Sequence, residues 1–165
     1  MKKIIATVFV TASFSMAVSA QDFCTTAKSV VDASTVNFEA MKGKYTSSEY
    51  DGLWKATVAI PGAQSCIIEE NTGWYVATFV TGVPKAVALA RFNELAEKLK
   101  GCMTGYTSWY YQNVGEHMQT WFFAESKDGS DNDNSVAKGK SCELELRQKN
   151  GSGEQWEVRI KIYKS

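Results

Sequence analysis

The chain has 165 residues, with 18 lysines and arginines against 18 aspartates and glutamates, so its formal charge is zero. Phosphate neutralisation and docking to anionic lipid both need a clustered basic excess, and none is visible; neither nucleic acid nor a lipid surface is expected as a partner. The length suits one domain or two very small ones.

Residues 1–20 read as a signal peptide rather than as part of the fold. Lys2 and Lys3 form a basic start, Ile4 to Val18 a mostly apolar run, and Val18-Ser19-Ala20 a small-residue cleavage signature before Gln21. The apolar run is too short and too broken for a span of about 20 residues, so no stable membrane insertion is expected once it is removed. The two leader lysines are its only charges, which leaves 145 residues carrying 16 basic and 18 acidic groups, net −2. The expected product is exported, periplasmic or secreted, with residues 21–165 as a single α+β domain.

Phe23, Ala27, Val30, Val31, Ser34, Phe38 and Met41 recur at helical spacing and predict a helix over 23–41, with Asp22 as N-cap and Lys42-Gly43 as its stop. Lys44 to Asp51 reads as a polar connection. Alternation then predicts strands over 54–60, from Cys66, and over 74–80, the last apolar on both faces and therefore central. Pro84 opens a second helix whose buried stripe is Ala88, Phe92, Leu95, Leu99 and Cys102, with Gly101 near its end.

Met103 to Glu116 holds Tyr106, Trp109, Tyr110 and Tyr111 among Gly, Thr and Ser, and reads as an aromatic loop. Met118 to Glu125 is a strand, and residues 126–139 a polar loop. Ser141 to Lys149 and Trp156 to Tyr163 alternate apolar and charged residues around Asn150-Gly151-Ser152-Gly153, the pattern of an antiparallel hairpin with one apolar face. The fold class expected is α+β: two helices on an antiparallel sheet of about six strands, in the order α-βββ-α-βββ. Trp54 and Trp121, Ser65-Cys66 and Ser141-Cys142, and Trp74 and Trp156 fall at matching places in halves 21–82 and 83–165. A tandem αβββ duplication and the generic recurrence of strand patterning both account for that match.

Cys24, Cys66, Cys102 and Cys142 are even in number and contain no C-x-x-C, so two structural disulfides are expected rather than a redox or zinc motif. The economical pairing ties each helix to its own strands, Cys24 with Cys66 and Cys102 with Cys142, and a Cys66–Cys142 bridge stays open. Catalytic signatures are scarce. His117 is the only histidine and no G-x-S-x-G occurs; Glu69-Glu70 or Glu143 and Glu145 suit glycoside chemistry by type, but Glu143 and Glu145, alternating with Leu, read as solvated charges on a strand. The acidic run 128–135 has calcium ligands by type but lacks the glycine and the closing glutamate of an EF-hand loop. Neither a metal nor a cofactor is expected.

The aromatics carry what functional content there is. Trp, Tyr and Phe make up 12% of the chain, and Trp109, Tyr110 and Tyr111 are adjacent. Tyr and Trp give large contact area at low entropy cost, which suits a protein-binding anchor. The expected function is a non-catalytic binding protein, of inhibitor or immunity type, that engages another protein through Trp109, Tyr110 and Tyr111. The alternative is a small-ligand or carbohydrate binder with a cleft between helices and sheet; a hydrolase built on His117 or a carboxylate pair comes third.

Overall fold

The computed structural model describes residues 12–46, 52–113, 117–128, 136–149 and 154–163. Two α-helices lie on one face of a single antiparallel sheet. Helix α1 is Ala12–Ala33 and α2 is Lys85–Cys102. The strands are β1 Lys42–Thr46, β2 Leu53–Ala56, β3 Ser65–Glu69, β4 Trp74–Val83, β5 Thr107–Asn113, β6 Met118–Asp128, β7 Val136–Gln148 and β8 Trp156–Tyr163. They are ordered β1-β2-β3-β4-β8-β7-β6-β5 across the sheet.

Among the described residues the sheet therefore has eight strands, not about six. The two additional strands, β1 and β5, are its outermost ones. An edge strand needs little apolar patterning because one side of it meets no neighbour, which is why Lys42-Gly43-Lys44-Tyr45-Thr46 reads as polar coil in the sequence. Each half runs helix, then four strands, and the halves join through their last strands, β4 and β8.

Part of the sequence match between halves survives in register. Tyr45 faces Trp54 and Trp54 faces Ile68 in the first half; Tyr110 faces Trp121 and Trp121 faces Leu144 in the second. Trp74 and Trp156 do not correspond. Trp156 points into the core under the helices, whereas Trp74 lies on the opposite face, beside Tyr163 and Lys161.

The hairpin read from the sequence is β7–β8. Its register pairs Leu144 with Ile160 and Leu146 with Val158, all at most 1% exposed beneath the helices. α2 buries the stripe Ala88, Phe92, Leu95, Leu99 and Cys102 as its spacing predicts. α1 departs from expectation at both ends. It is helical before Asp22, so Asp22 is no N-cap, and it stops at Ala33. Asn37 and Phe38 both take the left-handed conformation, at φ 54° and 57°. Asn tolerates that region and Phe does not, so packing must hold it. Phe38 is fully buried against Tyr75, 6.0 Å between ring centres. Tyr75 in turn donates from its hydroxyl to the Val58 carbonyl at 2.9 Å, which satisfies a polar atom deep in the core.

The cysteines correct the expected pairing. Cys24 of α1 is bonded to Cys102 of α2, with Cα atoms 5.0 Å apart and a sequence separation of 78. Cys66 and Cys142 are buried free thiols. They sit on β3 and β7 with β4 and β8 between them, about 14 Å at the spacing of neighbouring strands, which excludes a bridge. The helices are thus tied to each other rather than each to its own strands. No helix among the described residues is long and apolar enough to cross a membrane.

Candidate functional site

Both helices cover one face of the sheet, so alternate residues of the strands are left on the other. On β7 and β8 these are Glu143, Glu145 and Arg147, directly opposite Lys161, Arg159 and Glu157. Three consecutive cross-strand pairs are of opposite charge, each favourable in itself. Lys161 donates to Glu145 at 2.9 Å, and Arg159 donates to the other oxygen of the same carboxylate. Arg147 donates to Glu157, which Arg159 also approaches at 3.7 Å. The Tyr163 hydroxyl donates to Glu143.

This face is not the solvated one that alternation suggests. Glu145 is 4% exposed, Lys161 7% and Glu157 8%. Their side chains are paired with partners across the β7–β8 register. Lys161 also spans the Trp74 ring, its Nζ 4.1 Å from the ring centre, and Trp74 meets Tyr163 edge-on at 5.5 Å. A desolvated lysine between a carboxylate and two aromatic rings is held by charge and by ring quadrupole together.

The carboxylates differ in protonation because their surroundings differ. Burial pushes Glu143 up to about 7, against the Tyr163 hydrogen bond and with Glu145 adding to the rise. Burial also acts on Glu145, but Arg159 and Lys161 outweigh it and hold that carboxyl below the usual range. Thr120 lies opposite Glu145 on β6, 1% exposed, and its hydroxyl has no hydrogen-bond partner among the described residues.

Trp109, Tyr110 and Tyr111 belong to strand β5, not to a loop. A strand sends neighbours to opposite faces, so the three are not brought together. Trp109 stacks on Phe122 at 5.1 Å and 10°, at the rim of the charged face, in one row with Glu143 and Lys161. Tyr111 faces Thr120 in the next row, with Glu145 and Arg159. Tyr110, 41% exposed, turns to the helix side against Trp121. Sequence reasoning missed Trp74, Tyr163, Glu143, Glu145, Arg159 and Lys161 as a unit. The readable signal was the strict opposition of charge across the β7–β8 register.

His117 is exposed at the turn between β5 and β6, with φ 50°. A cavity of about 60 Å³ beside it, lined by Lys85, Gln112, Asn113, Gln119 and Trp156 among others, has room for about two waters. Among the described residues no carboxylate lines that cavity. The space between helices and sheet is filled by Phe23, Phe38, Tyr75, Phe92 and Phe123, each at most 2% exposed. Among the described residues no three His, Cys, Asp or Glu side chains are grouped to hold a metal, and residues 129–135 of the acidic run lie outside those described. Compared with protein families, with curated proteins and with solved structures, the chain matches none of them.

Proposed function

We propose that this is an exported, non-catalytic binding protein that engages another protein through the helix-free face of its sheet. The observation that carries the reading is the fixed lattice of paired charges on that face, bordered by Trp74 and Tyr163 on one side and by Trp109, Phe122 and Tyr111 on the other. Aromatic anchors beside desolvated charges are the composition of interface hot spots. Because the ion pairs hold the charges in place beforehand, little side-chain entropy is lost on contact. The disulfide between the helices suits the oxidising compartment that the leader implies.

The test is affinity capture from the exported fraction of the source with the mature oxidised chain, followed by titration of the captured protein. A stoichiometric partner should bind the wild type, and Trp109→Ala with Tyr111→Ala should weaken it by about 30-fold or more, as loss of hot-spot anchors does. The melting temperature of the variant should stay within a few degrees. Unchanged affinity in the double variant excludes this face as the contact.

A further inference from the structure

The two outermost strands of the sheet are built differently. β1 carries Lys42 and Lys44 within five residues and has a register shift against β2 between Lys42 and Tyr45. Charges and bulges are how an edge is kept from pairing with another chain. β5 has neither. Thr107-Ser108-Trp109-Tyr110-Tyr111-Gln112-Asn113 holds no charge and no proline, and it runs in unbroken register with β6 over all seven residues. An unbulged, uncharged, aromatic edge of that length is a template for a further strand.

The order of residues selects the occupant. Read from its centre at Tyr110, β5 is the same in chemical character in both directions: Trp109 and Tyr111, then Ser108 and Gln112, then Thr107 and Asn113. We propose that β5 pairs antiparallel with β5 of a second copy of this chain, about a two-fold axis at Tyr110. Trp109 then faces Tyr111 of the second copy on one side of the sheet, twice over, and the two Tyr110 residues face each other on the other side. Polar residues meet polar ones at both ends, and no like charges are opposed. The chain already joins its own halves by the same device, antiparallel pairing of β4 with β8. Self-pairing extends the helix-free face without a break into the second copy, so one assembly presents two charged faces to a binding partner.

This pairing uses the backbone edge and stands apart from the partner reading. Sedimentation and light scattering of the mature oxidised chain, from micromolar to millimolar, should show a concentration-dependent rise to twice the chain mass. Ser108→Lys with Gln112→Lys copies the protection of β1 at two exposed positions and should leave a monomer with unchanged circular dichroism and unchanged binding to any captured partner. Tyr110→Lys and Tyr110→Glu should each be monomeric alone and form a heterodimer when mixed, because the axis sets them against each other. A wild type that stays monomeric throughout, a dimer that persists in the double-lysine variant, or a mixture that fails to combine overturns the proposal. So does an edge that takes up an unrelated extended peptide while the chain stays monomeric.

Discussion

Glu145 is the most buried charged residue among those described. It is 4% exposed and serves Arg159 and Lys161 together. Removing one member of such a set leaves the others buried without a counter-charge, at a cost of about 3–5 kcal/mol. Glu94 on α2 also serves two cations, Arg91 and Lys98, but its side chain is 47% exposed. Its loss is expected to cost under about 1 kcal/mol, since water substitutes for the missing partner. Urea unfolding of Glu145→Ala beside Glu94→Ala measures the contrast directly, and equal losses would sink the claim that the charged face is desolvated. The charge opposition of Glu143 and Glu145 to Lys161 and Arg159 was legible in the sequence once the hairpin register was fixed. Their burial was not. Period 2 says which face a residue takes, not whether side chains of neighbouring strands will lie across it.

At the scale of elements, α2, β4 and β7–β8 were legible because each is buried and therefore patterned. The edges β1 and β5 were not, because a strand with one free side is under little constraint to alternate. The end of α1 was missed because Ser34, Phe38 and Met41 keep helical spacing while the chain after Ser34 turns through left-handed Asn37 and Phe38. The cysteine pairing failed for a related reason: sequence places Cys102 on the buried stripe of α2 but not which element that stripe meets. The Cys24–Cys102 bond closes a long loop, and its removal by Cys24→Ala with Cys102→Ala is expected to cost about 2–5 kcal/mol, chiefly by freeing the unfolded chain. Thiol titration provides a companion check. The oxidised protein should show two thiols per chain in denaturant and almost none when native, since both remaining cysteines are buried and burial pushes Cys142 up to about 12. Four reactive thiols, or none, in denaturant would contradict the assigned bond.

For the molecule as a whole, Glu143 and Glu145 set opposite pH slopes on stability in separate windows. Glu143 is raised in the folded state, from an ordinary 4.5 to about 7. Between those values the folded chain binds more protons than the unfolded one, so the stability that Glu143 contributes is lost as pH rises from about 4.5 to about 7. That interval corresponds to at most about 3 kcal/mol. Glu145 is lowered, so its contribution is complete above 4.5 and is lost as pH falls through its folded value. Stability is therefore expected to be greatest near pH 5 and to decline toward pH 8, the reverse of what two well-paired glutamates would give. Glu143→Gln removes the titrating group and keeps an oxygen to accept from Tyr163. Unfolding free energies measured from pH 4.5 to 8 should match the wild type near pH 5 and exceed it by about 1–3 kcal/mol at pH 8. The difference between the two proteins isolates Glu143 from every other group that titrates in the range. A difference that does not change with pH would mean that Glu143 is ionised throughout, and that the charged face admits more water than its packing implies.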